Sequence, residues 1–230
     1  MDEAMARATW ADGARSVVPL LLGIVPFGLI FGVTAIDAGV PPIAAWASSF
    51  IVFAGASQIA IVEVLDNGGA AVVAFATAVV INARLMMYSA DMGRYTSSFP
   101  LSVRMPLSYL LTDPAYLVTV HRFPSPSRRE GLLHFYFGAA LTLWTVWQIS
   151  TTSGMVLGTA VPESWSLGFA IPLTFMALLV LAVKDRPQLV AAVVGALVAV
   201  AGVGLPYSLG LLLGAAAGVT AGMVAARSTR

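Results

Sequence analysis

The chain has 230 residues, of which 59% are hydrophobic and 10% charged, with a net charge of +1 and no cysteine. Twelve basic and eleven acidic side chains are too few for the polar skin of a soluble domain, where about 25% of residues are charged, and the apolar content excludes disorder. The near-neutral balance argues against a nucleic-acid partner, which needs a concentrated basic surface, and the missing thiols exclude disulfides, thiolate metal sites and cysteine nucleophiles.

An integral membrane protein is what remains. Asp, Glu, Lys and Arg are absent from 16–36, 38–62, 67–83, 131–162, 164–183 and 187–226, the last stretch being split at Gly202, Gly204 and Pro206. A helix needs about 20 apolar residues to cross the hydrocarbon core. Spans are therefore predicted near 17–36, 43–63, 70–90, 131–150, 166–183, 187–203 and 207–226. Membrane barrels would show short segments of alternating polarity, whereas these runs are apolar all round. The first span is longer than a signal peptide and lacks a clear small-residue cleavage site. Residues 101–120 are apolar but carry Arg104, Pro106, Asp113 and Pro114, so a re-entrant or broken segment is expected there. The expectation is an all-α, polytopic transmembrane bundle of about seven spans, residues 1–230 forming one transporter domain. The long–break–long layout of 46–86 resembles that of 165–205, which suggests an inverted repeat.

Basic residues stay on the cytoplasmic side in short loops. Arg122, Arg128 and Arg129, then Lys184 and Arg186, then Arg227 and Arg230 fall on one side, while 151–165 has no Lys or Arg. The C-terminus is expected in the cytoplasm. Arg7 and Arg15 oppose the outside N-terminus that seven spans require, so the N-terminal side stays open.

Polar groups within spans are costly and are the natural functional candidates. Gln58 follows Gly55, Ala56 and Ser57 in an uncharged run; it either contacts substrate or glues two helices. Arg84, Tyr88 and Asp91 lie on one helical stripe, and Arg84 either snorkels or faces a polar cavity. Asn82 lies off that stripe and should face another helix. Pro26 and Gly28, with Pro19, Gly23 and Gly32, mark an interrupted helix of the kind that exposes backbone to substrate. Asp113, if embedded, is the candidate proton carrier; at the interface it would start a turn or pair with Arg104. Gly210, Gly214, Gly218 and Gly222 form one small face for close packing. His121 and His134 have no metal-ligand spacing. Ser57 lacks the following glycine and the histidine partner of an intramembrane protease. No catalytic residue, metal or cofactor is expected.

Pro26-Phe27-Gly28 with Phe31-Gly32, then Phe53 to Gln58, Asn82-Ala83-Arg84 with Tyr88, Leu111-Thr112-Asp113, and finally Lys184-Asp185-Arg186 together resemble the AzlC family, over roughly residues 14 to 226. That resemblance implies the large subunit of a branched-chain amino acid exporter of the prokaryotic cytoplasmic (inner) membrane, working with a small AzlD-type membrane protein. It implies export of leucine, isoleucine, valine or analogues, driven by protons. Relatives often have a second acidic residue where Pro114 stands, and some have histidine where Leu85 stands. An amino acid zwitterion needs an anion site, a cation site and an apolar pocket. Arg84 would meet the carboxylate, Gln58 and Asn82 would bond either end, and Tyr88, Pro26 and Gly28 would line the site. The rival readings are a structural or assembly subunit without its own substrate site and a membrane-embedded enzyme; a homo-oligomer is a further assembly open to the chain.

Overall fold

The computed structural model describes residues 8–126, 130–158, 183, 185–205 and 209–228. Among these residues the chain is helical, without strands: α1 (Trp10–Val17), a 3-10 turn (Val18–Leu20), α2 (Leu21–Asp37), α3 (Pro42–Ile51), α4 (Gly55–Asp66), α5 (Ala71–Thr96), α6 (Leu101–Tyr109), α7 (Asp113–Arg122), α8 (Leu132–Gly158), α9 (Arg186–Ala201) and α10 (Leu209–Ser228). Trp10–Asp37 and Ala71–Thr96 are each long and apolar enough to cross a membrane. Their outer faces are greasy: Leu22, Val72, Phe75, Met86 and Met87 are all exposed, which suits a lipid surround and not water.

Contacts divide the chain into two compact units, Met1–Val62 with Ala78–Pro162, and Glu63–Thr77 with Glu163–Arg230. The first is organised around α8, which packs along α1 and α2 and touches α3 and α7. Missing side chains permit this approach. A Cβ on Gly28 would lie 2.7 Å from Ser150 Cβ, one on Gly32 2.6 Å from Met155 N, and one on Gly138 2.9 Å from Trp10 Cα. Tyr136, Ala139, Ala140, Leu143 and Trp147 of α8 are buried in this core. In the second unit α9 packs on α10, and the predicted glycine face is the seam. A Cβ on Gly214 would sit 2.7 Å from Gly195 O, and one on Gly218 2.7 Å from Ala191 O.

Several boundaries differ from the expected spans. The span 43–63 is two helices, broken at residues 52–54. Phe53 adopts a positive φ of 41°, a conformation that bulky residues avoid, and it holds there because Phe53 is buried and Gln58 caps the exposed backbone. The segment 101–120 is broken as expected, into α6 and α7, with Pro114 in the first turn of α7 where its absent N–H costs nothing. Interruption of the first span lies at Pro19, in the 3-10 turn, whereas α2 runs unbroken through Pro26. The span near 131–150 extends to Gly158. Residues 166–182 of the expected span 166–183, and with them the first part of the expected second repeat 165–205, lie outside the described residues.

Candidate functional site

Two helix breaks lie side by side in the first unit. The Tyr109 hydroxyl at the end of α6 donates to the Phe50 carbonyl in the last turn of α3, and the Tyr109 ring stands 6.4 Å from that of Phe53. Trp144 of α8 donates its indole N–H to the Tyr109 hydroxyl at 3.1 Å. Thus α8 braces the place where α3 gives way to α4 and α6 to α7.

Gln58 is the staple of the first break. Its Oε1 accepts from Ala54 N–H at 3.3 Å, and its Nε2 donates to the hydroxyls of Ser48 at 3.1 Å and Ser49 at 3.3 Å. One amide therefore satisfies an orphan donor ahead of α4 and grips the last turns of α3. Burial of such a group demands these bonds; Gln58, Ser49 and Ser57 are all buried. Asn82 of α5 donates to Ser57 Oγ at 3.0 Å. It does face another helix, as its position off the Arg84 stripe required. From α8, Gln148 Nε2 donates to the Ser49 carbonyl at 3.0 Å.

The second cluster occupies another side of α5. Two residues beyond Asn82, Arg84 lies about 200° around the helix. Its guanidinium pairs with the Asp113 carboxylate at 3.0 Å, the two side chains being 44% and 32% exposed. Asp113 opens α7, so this bond joins α5 to the start of the second broken helix. The predicted stripe continues the contact. Tyr88 lies beside both charges and stacks on Tyr116 with ring centroids 4.4 Å apart. The Tyr116 hydroxyl donates to Asp91 at 3.1 Å, and Asp91 also pairs with Arg94 at 3.0 Å. Asp113 therefore pairs with Arg84, and its partner is not Arg104.

The sequence-predicted residues thus fall into separate groups. Gln58 and Asn82 join one buried network through Ser57, and Arg84, Tyr88 and Asp113 join one partly exposed ladder. Gly28 packs on Ser150 of α8, and Pro26 is exposed on α2. On the face of α5 that Asn82 shares, Leu85, Met86, Ser89 and Ala90 line an open groove of about 540 Å³ with Ser108 and Leu111. Among the described residues no three carboxylates or imidazoles gather to hold a metal ion.

Sequence reasoning missed Trp147, Gln148 and Thr112. Among the described residues, the buried side-chain polar atoms without a hydrogen-bond partner are Thr112 Oγ1, Trp147 Nε1 and Gln148 Oε1. All three lie at the two breaks. Nothing in the local sequence of α8 distinguishes Gln148 from any polar residue of an apolar helix; only the packing of α8 on α3 does.

The family model described as AzlC protein matches residues 19–161. Over 210 residues the chain is 26% identical to the inner membrane protein YgaZ of Escherichia coli K12, covering 88% of this chain and 85% of that protein. It is 28% identical over 200 residues to an uncharacterized membrane protein of Archaeoglobus fulgidus, covering 84% of each. No solved structure matches the chain.

Proposed function

This chain belongs to the AzlC family, and we propose that it is the large subunit of a branched-chain amino acid exporter, driven by protons and working by alternating access with a small AzlD-type membrane partner. It lies in a prokaryotic cytoplasmic membrane as about seven passes, with 101–120 re-entrant and with its C-terminus in the cytoplasm. The reading rests on family membership for the substrate class and partner, and on one observation for the mechanism: the Arg84–Asp113 pair, which fastens α5 to the first residue of α7.

Ionised Asp113 neutralises Arg84 and ties the second broken helix to α5. A proton arriving on Asp113 cancels its charge, releases the tie and leaves Arg84 positive, so protonation and movement of α7 are one event. The freed guanidinium attracts the carboxylate of the amino acid. Tyr88, stacked between the two elements, limits how they separate. Interrupted helices near such a site are how transporters present backbone groups to substrate.

Cells preloaded with labelled leucine, valine and methionine test the reading. Efflux should require this chain and its small partner, collapse with a proton uncoupler, and fall in Arg84→Ala at normal membrane abundance. The rival reading, an assembly subunit, draws on Gln58, whose polar atoms are all engaged within the protein. It predicts reduced abundance and unaltered efflux per molecule.

A further inference from the structure

We propose that α3–α4 dips into the membrane from the outer side and α6–α7 from the cytoplasmic side, that their tips meet at mid-height, and that Tyr109 is the positioning residue through which one hairpin holds the other. The coupling role of Tyr109 rests on the functional reading above. The placement of the hairpins rests on packing directions alone.

Each segment folds back on itself. Gln58, at the start of α4, bonds Ser48 and Ser49 of α3, ten and nine positions earlier. In one continuous helix those residues would stand about 14–15 Å away, too far for a single amide to span. The chain turns at Phe53, whose positive φ marks the apex. The other segment does the same. The Tyr136 hydroxyl donates to the Leu107 carbonyl of α6 at 2.7 Å, and the ring of Phe135 stands 5.7 Å from that of Phe123, just past α7. A continuous helix would separate Leu107 from Phe123 by about 24 Å, yet both lie beside consecutive residues of α8.

The helix directions then fix where each hairpin enters. α1 and α2 run along α8 in the same direction: Gly13 meets Phe135, Gly28 meets Ser150 and Gly32 meets Met155. α7 ends where α8 begins, at Phe123 and Phe135. α5 runs with α7, since Arg84 pairs with Asp113 and Asp91 with Tyr116, so it ends on that side too, where 97–100 lead into α6. Its 26 residues begin at the opposite side, where α4 ends and where α3 starts directly after α2. Were α3–α4 a crossing, α2 and α8 would run in opposite directions. Charge names the sides. Arg15, Arg94, Arg104 and Arg122 gather at the end where α6 enters, whereas the turns 38–41 and 67–70 carry no Lys or Arg, so the first is the cytoplasmic end. Arg15 no longer opposes the topology, and α3–α4 leaves the count of passes.

The two tips meet about halfway along α8. Gln148 bonds the Ser49 carbonyl of the outer hairpin, and Trp144 bonds Tyr109 of the inner one. Arg84, the partner of Asp113 at the inner tip, stands halfway along α5. The last carbonyls of a helix lack an intrahelical donor. At the end of α3, Ala54 N–H is held by Gln58, and the Phe50 carbonyl accepts instead from the Tyr109 hydroxyl across the gap between hairpins. When a proton on Asp113 releases the inner hairpin, withdrawal of Tyr109 strips that carbonyl of its donor. The inner hairpin therefore cannot move without loosening the outer tip.

The chain has no cysteine, so each introduced thiol is the sole label. In intact cells a membrane-impermeant maleimide should label Asp37→Cys and Asn67→Cys from outside, and should reach Ser98→Cys only after permeabilisation. Labelling of positions 37 and 67 from opposite sides overturns the hairpin placement. Val52→Cys, at the outer tip, tests Tyr109. Asp113→Asn should speed its labelling from outside about three- to tenfold, the equilibrium weight of one hydrogen bond. Tyr109→Phe keeps the ring and deletes the hydroxyl; it should give the faster rate by itself, with Asp113→Asn adding nothing. A response to Asp113→Asn that is equal in both backgrounds, or absent from both, overturns the coupling role. A wild-type chain that exports no amino acid overturns the functional reading instead, since the hairpin placement is read without substrate.

Discussion

Replacing Asp113 with asparagine removes the negative half of the tie between α5 and α7 while keeping size and hydrogen-bonding capacity. At 3.0 Å the pair has good contact geometry, but 44% and 32% exposure of the two side chains moves it toward the solvent-screened regime, where such pairs contribute about 0.2–1 kcal/mol. That range corresponds to a shift in the open-to-closed ratio of roughly 1.4- to 5-fold. Asp113→Asn should therefore reach the membrane at near-normal levels and melt close to wild type. Transport is a different matter, because asparagine cannot exchange a proton. Wild-type efflux should respond to external pH and stop with an uncoupler. In Asp113→Asn, leucine should still leak down its own gradient, and the pH response should vanish. Measurement of labelled leucine efflux in vesicles, with internal pH fixed and external pH varied, decides it. Retention of the full pH dependence in Asp113→Asn would refute the assignment of the proton to this residue.

Gln58→Leu leaves Ala54 N–H and two serine hydroxyls without their partner, at a cost of about 1–3 kcal/mol for a buried unsatisfied group; detergent-solubilised protein should melt earlier, and accessibility labelling of cysteines placed at 52–54 should increase. Gly32→Val places a side chain where Met155 N lies 2.6 Å from the nearest Cβ position, against backbone that cannot yield. It should cost about 1–3 kcal/mol by overpacking and show as lost abundance on membrane blots, whereas Gly23→Val, with open space around it, should be tolerated. Gly218→Val should pry α9 from α10, since its Cβ meets Ala191 O at 2.7 Å, and proteolysis of the region following Gly202 should accelerate.

The Arg84 stripe was legible in sequence because helical periodicity fixes it: residues four and seven apart share a face whatever they meet. Asn82 was legible for the same reason, by exclusion from that face. That the stripe meets α7 was not, and Asp113 pairs with Arg84 instead of the Arg104 that sequence proximity offered. The first break was not. Ala and Gly occur throughout the apolar runs of this chain, and residues 43–63 carry no proline past Pro42 and no charge before Glu63. Only the capture of Gln58 by both half-helices, with Phe53 locked at positive φ, interrupts the span.

By itself, the sequence determined that the chain belongs in lipid, that it is helical, and that a few polar residues sit where water is scarce. Those properties follow from composition and local periodicity, which are properties of consecutive residues. The tertiary structure decided which helices break, which polar atoms find partners and which stay open. Those outcomes depend on residues such as Ser49 and Gln148, 99 positions apart in the chain, and hydrogen-bond satisfaction across such distances is settled only when the helices pack.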